Sequence, residues 1–265
     1  MLSWLRILFA QRKNIMKLVW SDFAQCYLSS YLGFVWAIIS PLIMMLVLTL
    51  VFQVGFRVQP AHGSIPFTAW LLCGMIPWLY FAESLTSSAQ SVTSYAFLVR
   101  KSVFRISYLP LIRLLSSAII HAALLGFMLI VLLYFKFYPS LYWMQFFYYF
   151  FCMYVFLLGM AWLTSSLSVF VPDIVNLLSV CTNLGFWVTP IFWDKNLLPP
   201  QWKWIFTINP AYYIVQGYRD SFVENRWLWE RPFADHLAFA TWFVVSLFLG
   251  SIVFKHLRPH FADVL

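Results

Sequence analysis

Charge is scarce in this chain. Asp, Glu, Lys and Arg together make up 10% of the 265 residues and 63% are hydrophobic, a balance that a soluble domain does not reach. Cysteine is sparse too. Cys26, Cys73, Cys152 and Cys181 form no CxxC pair and at least two fall inside apolar runs, which excludes a disulfide framework and a zinc site as expectations. None of the nine glycines begins a GxxxxGK[ST] loop, so ATP is not held here by that phosphate cradle. HExxH and GxSxG patterns are missing as well, and neither a catalytic group, a metal nor a cofactor is expected. The net charge of +8 is spread between apolar runs and not gathered on one face. It fits flanks that hold helices at anionic membrane lipids and argues against nucleic acid as a partner.

What the chain has in abundance is long apolar sequence. About 20 helical residues, at 1.5 Å each, cross the roughly 30 Å hydrocarbon core of a bilayer. Tyr31–Val54, Phe67–Gln90, Leu111–Phe135, Leu141–Val171, Ile174–Trp193 and Leu237–Phe254 meet that length. The expected fold class is therefore an all-α integral membrane protein with six transmembrane helices, kinked where Pro41, Pro77 and Pro190 lie within or near the spans. An even number of spans puts both termini on one side, and basic residues mark the cytoplasmic side. Arg6, Arg12, Lys13 and Lys17 precede the first span, Arg100, Lys101, Arg105 and Arg113 lie between the second and third, and Lys255 and Arg258 follow the last. This pattern predicts a multi-pass protein of the plasma membrane with cytoplasmic termini.

Residues 1–23 lack a clean apolar core and a small-residue cleavage site, so they read as retained and not as a signal peptide. On a helical wheel Arg6, Lys13 and Lys17 fall within an arc of about 40° and Trp4, Leu8, Ile15, Leu18 and Val19 lie on the opposite half. That is an interfacial amphipathic helix, serving as a membrane anchor or as a gate at a cytoplasmic mouth. Residues 194–235 form a long external segment, in which Leu197 to Phe206 and Asn209 to Gly217 fit two short aromatic helices, interfacial or re-entrant.

Two strongly ionisable groups fall well inside the spans, Glu83 and His121. An intramembrane carboxylate is costly and points to function by default, with an interhelical hydrogen bond to Asn176, Asn183 or His121 as the structural alternative. His121 alone reads as a packing residue. Aromatics reach 21%, more than interfacial belts need. Ring faces give sequence-tolerant platforms for sugars or alkyl chains, and Trp78, Tyr80, Tyr142, Trp143, Tyr148, Tyr149, Trp187 and Trp193 are the candidates.

Tyr31-Leu-Gly33-Phe-Val-Trp36-Ala-Ile-Ile-Ser-Pro41-Leu, after a basic amphipathic segment, resembles the entry to the first span of ABC permeases for polysaccharide export. Gly74-Met-Ile-Pro77-Trp78, Thr189-Pro190-Ile-Phe-Trp193, Asn209-Pro210 with Gly217, and the terminal Phe261-Ala-Asp263-Val-Leu follow in that family's order. The resemblance runs from about Leu18 to the last residue, with the wall teichoic acid exporter permease of Gram-positive bacteria most similar and O-antigen and capsule permeases close behind. Val171-Pro172-Asp173 and Phe104-Arg105 depart from the family's usual turn and its usual Phe-Pro.

The resemblance implies a homodimer with two copies of a separate ATPase that binds the ATP, a lipid-linked polymer as cargo, and membrane lipids as surroundings. It makes residues 95–110 a coupling loop in which Arg100, Lys101, Ser102, Val103, Phe104 and Arg105 meet the ATPase. Trp4, Arg6, Leu8, Lys13 and Lys17 would belong to the gate helix, and Trp78, Tyr80, Glu83, Tyr142, Trp143, Trp187 and Trp193 to a channel. A membrane glycosyltransferase is disfavoured because Gly55–Ile65 holds no acid. A secondary carrier is disfavoured because repeat symmetry and paired intramembrane charges are not evident.

Overall fold

The computed structural model describes residues 12–28, 32–57, 65–97 and 105–265. Every regular element among them is helical. The main helices are α1 (Arg12–Tyr27), α2 (Gly33–Thr49, extended by a π-helical turn Leu50–Gly55), α3 (Phe67–Ala89), α4 (Leu109–Tyr134) and α5 (Gln145–Phe170). They are followed by α6 (Asp173–Val188), α7 (Trp204–Ile208), α8 (Pro210–Phe222), α9 (Phe233–Leu257) and α10 (Phe261–Val264).

Four stretches, Gly33–Gly55, Ile106–Tyr134, Leu141–Phe170 and Phe233–Val264, are long and apolar enough to cross a membrane. The two other expected spans form helices at the expected places but do not qualify on both counts. α3 has 23 residues, yet its last turns read Glu83-Ser-Leu-Thr-Ser-Ser. It tolerates these polar groups because most of its surface is buried in protein and not turned to lipid. α6 has 16 residues, about 24 Å at 1.5 Å per residue. It ends five residues before the expected Trp193, because Thr189 precedes Pro190 and takes an extended backbone (φ −75°, ψ 130°).

α3 is the hub, packed against α4, α5, α6 and α8. Its Trp78 meets Gly185 of α6, where a Cβ would lie 2.9 Å from the indole. α5 and α9 touch backbone to backbone. A Cβ on Gly159 would sit 2.6 Å from the carbonyl carbon of Ser246, and one on Gly250 would run into the Gly159 carbonyl. Without a hydrophobic drive between helices in lipid, such small-residue contacts let backbones approach closely enough for dispersion to hold them.

α4 closes with a Schellman cap, in which Phe137 N–H bonds the Leu132 carbonyl at 2.9 Å and Lys136 N–H that of Leu133 at 3.0 Å. Lys136, not a glycine, takes the left-handed turn (φ 65°).

Candidate functional site

Two polar assemblies stand at opposite ends of this bundle. One is built on α8. Asn209 caps that helix, its side-chain oxygen accepting from Ala211 N–H at 2.9 Å and Tyr212 N–H at 3.4 Å, with Pro210 in the first turn. The same side chain donates to Thr189 Oγ1 at 2.9 Å, so the Thr-Pro after α6 and the Asn-Pro before α8 are tied together. Arg219 lies wholly buried beneath them. It donates to the carbonyls of Trp70 (3.4 Å), Pro190 (2.8 Å) and Ile191 (2.6 Å), and its guanidinium stacks 3.5 Å from the Trp70 ring centre. Burial pulls its pKa down to about 10, which leaves it cationic at neutral pH.

Gly74 makes room for this arginine, since a Cβ there would lie 2.6 Å from its Nη2. Gly217 packs on the ring of Tyr149 just as tightly. Arg231 pairs with Asp220 at 3.5 Å and covers the Tyr213 ring at 4.5 Å; burial disfavours its charge, and the Asp220 carboxylate with the neighbouring tyrosines outweighs that and keeps it cationic. Gly74, Pro190 and the Asn209-Pro210 cap thus meet at one buried knot around Arg219, while Gly217 fits α8 to Tyr149 of α5.

The other assembly is built on Asp22, a carboxylate 1% exposed. It accepts from Tyr95 Oη at 2.7 Å and from Arg113 Nη1 at 3.1 Å, and Arg113 also contacts the Cys26 sulfur. Ile15 and Val19 of α1 pack beside it on Tyr108 and Ile112 at the start of α4. The apolar half of α1 therefore docks on protein, whereas Lys13 and Lys17 are exposed. On the far side Val92, Tyr95 and Leu109 meet Val169, Phe254 and the fully buried Phe261. Trp162 Nε1 donates to the Ser107 carbonyl at 3.1 Å. Both flanks of the expected coupling loop are gripped in this way. Phe261, not the exposed Asp263, anchors the terminal motif.

The residues expected to line a channel are spread over several neighbourhoods, with Tyr80 and Glu83 on one cavity and Trp187 beside Trp193. Trp78 faces α6, while Tyr80, its hydroxyl bonded to the Leu114 carbonyl at 3.2 Å, faces α4. Glu83 is exposed and meets Tyr27 Oη at 3.5 Å, not Asn176, Asn183 or His121. His121 instead lies 3.1 Å from Tyr218 Oη and stacks on Phe150, as a packing residue does. Tyr142 lies against Trp227, Trp143 against Phe222, and Trp193 against Phe206 with its Nε1 bonded to the Trp187 carbonyl. Tyr148 and Tyr149 pack toward Tyr213. Trp187 and Trp36 are open, 60% and 55% exposed. Gly33 and Pro41 are half-buried on α2, and Pro77 is buried in α3.

Arg105 is exposed at the edge of its loop. Arg100, Lys101, Ser102, Val103 and Phe104 lie outside the described residues, as do Trp4, Arg6 and Leu8. α1 is described from Arg12 and runs to Tyr27, four residues past the expected end at residue 23.

Sequence reasoning missed Asp22, Arg113, Arg219 and Arg231. The available signal was a lone acid in a basic N-terminal segment, and acids and bases in balance within an otherwise apolar external one.

Residues 13–223 match the family model of the ABC-2 type transporter. The chain is 28% identical over 248 residues to the O-antigen export system permease protein RfbA of Klebsiella pneumoniae, covering 90% of each chain. It is 25% identical over 267 residues to the protein of the same name from Myxococcus xanthus, covering 99% of each. Families of this kind supply the membrane component of a transporter that works with an ABC ATPase subunit and is not itself catalytic. The match across α1 to α8, which includes Asp22, Arg113 and Arg219, makes this chain a member of the ABC-2 type transporter family.

Proposed function

We propose that this chain is the membrane half of an exporter for a lipid-linked cell-surface polysaccharide. Two copies would work with two copies of a separate ATPase in the plasma membrane. The supporting observation is that relatives named as O-antigen export permeases match 90% or more of both chains, so the likeness covers the whole architecture and not one motif. Those names favour an O-antigen-type polysaccharide as cargo. The teichoic acid reading rests on the Pro-Ile-Phe-Trp and Asn-Pro-Ala-Tyr-Tyr motifs alone.

The open faces fit a paired molecule. Trp36, Ile39, Ile43 and Leu50 of α2 are exposed, as are Leu177, Val180, Leu184 and Trp187 of α6. Each set follows helical spacing and gives one apolar stripe. A second copy laid against them would enclose a conduit whose wall offers many weak contacts to a sliding polymer and few fixed charges. α3 and α6, surrounded by protein on such an assembly, would complete six spans with both termini cytoplasmic. The external knot would then roof the conduit, and the cytoplasmic assembly would carry the motion of the coupling loop to α1.

Reconstitution in vesicles tests this reading. With the partner ATPase and ATP, lipid-linked O-polysaccharide should become accessible to a glycan-binding probe on the far leaflet. ATP-dependent movement of a small solute with no movement of polymer would overturn it.

A further inference from the structure

One cavity has no part in the reading above. It measures about 200 Å³ and lies between the end of α1, the lower half of α2, and α3 and α4. Ala37, Pro41, Leu79, Ile120 and Leu124 give it apolar walls, and Tyr27, Glu83 and Ser117 bring oxygen atoms to it. Tyr80 and His121 complete the lining, with Tyr80 Oη and His121 Nε2 already engaged by the Leu114 carbonyl and Tyr218 Oη. No Lys or Arg lines it, and among the described residues no ion pair involves Glu83. The hydrogen bond from Tyr27, at 3.5 Å, is too long to satisfy a carboxylate. Pro41 adds a further acceptor. It has no N–H, so the carbonyl of Ala37 one turn earlier loses its helical donor. A site rich in acceptors, holding one negative charge and set into apolar walls, suits a ligand with several N–H donors, a positive charge and hydrocarbon attached. An ammonium has three donors and no acceptor.

We propose that this cavity binds a primary ammonium carried on an apolar body, supplied by the ethanolamine headgroup of a membrane phospholipid. The ammonium would meet the Glu83 carboxylate, with the Ala37 carbonyl and the Ser117 hydroxyl as further acceptors, and the methylenes would lie against Leu79, Ile120 and Leu124. A chamber of about 200 Å³ has room for a headgroup of this size. A lipid-linked polymer carried on phosphate has the opposite charge and is not the ligand of this site.

Native mass spectrometry of the purified full-length chain tests the assignment, with phosphatidylethanolamine, phosphatidylcholine and phosphatidylglycerol of identical acyl chains offered in equal amounts. Phosphatidylethanolamine should be retained at least fivefold over phosphatidylcholine, whose trimethylated nitrogen has the charge but no N–H, and over phosphatidylglycerol, which has no cation. Glu83→Gln should bring the three to parity. Ala37→Leu fills the chamber and leaves the carboxylate in place, so it should also abolish the preference, which keeps the test open should Glu83→Gln fold poorly. Octylamine should displace the ethanolamine lipid. Equal retention of the three lipids by the unaltered chain, or an unchanged preference in both variants, would overturn the site. Octylamine binding without ethanolamine-lipid binding would overturn the assignment to lipid.

Discussion

Arg219 shows how one side chain organises the end of the bundle around α8. A buried guanidinium is tolerable only when its donors are matched, and here three backbone carbonyls and the face of Trp70 match it. Lysine cannot span three carbonyls or stack in the same way. Arg219→Lys is expected to leave at least one carbonyl unmatched and to cost about 2 kcal/mol or more, read as a lower melting temperature in detergent by fluorescence-detected gel filtration. An unchanged melting temperature would remove the arginine from the fold's support. Asp22 has a comparable place at the other end. Asp22→Asn keeps an acceptor for Tyr95 and removes the charge that holds Arg113. Tryptic cleavage at Lys13 and Lys17 should become several-fold faster, with the helices from α3 to α9 as resistant as before. Equal cleavage rates would show that the apolar contacts of Ile15 and Val19 alone hold α1 in place.

Among whole elements, contact between α5 and α9 is set by the absence of side chains. Gly250→Leu would force the two helices apart at the Gly159 carbonyl and is expected to cost about 3 kcal/mol or more, as overpacked sites do. Gly126→Leu on α4 is the counterpart, because nothing lies within 4 Å of its added carbon. That variant should express and melt like the parent chain, so the pair separates a packing glycine from a permissive one in a single assay. The cap of α4 offers a gain. Lys136 holds a left-handed backbone that costs a non-glycine residue about 1 kcal/mol, and Lys136→Gly should raise the melting temperature by a few degrees.

Taken as a whole molecule, the chain belongs to a family whose membrane components work with an ABC ATPase subunit. It has no phosphate-binding loop, so the purified protein should hydrolyse no ATP, and turnover should appear only with an ATPase subunit. Arg100→Glu with Lys101→Glu is expected to lower ATPase stimulation and co-purification while membrane insertion continues. Unchanged values for both would reduce these residues to markers of the cytoplasmic side. Sidedness has its own test. Single cysteines placed at Asn225 and Asp263 should label from opposite faces of intact cells, the first from outside.

Much of this architecture was legible in the sequence because lipid imposes a length and an apolarity that local sequence must satisfy on its own. α2, α4, α5 and α9 appear within a few residues of their expected bounds for that reason, and Asn209-Pro210 marked the start of α8 because capping chemistry is local. The basic residues of α1 likewise set its polar face. Only the tertiary structure decided that α3 is a buried hub, that the other half of α1 packs on Tyr108 and Ile112, and that Gly74 serves Arg219. It also separated Trp78 from Glu83, which share a helix but face different neighbours. These outcomes depend on which groups meet across 149 positions from Trp70 to Arg219 or 91 from Asp22 to Arg113. Helical periodicity specifies a face but not the partner that covers it, and a buried charge is tolerated only where a distant segment brings its counterpart.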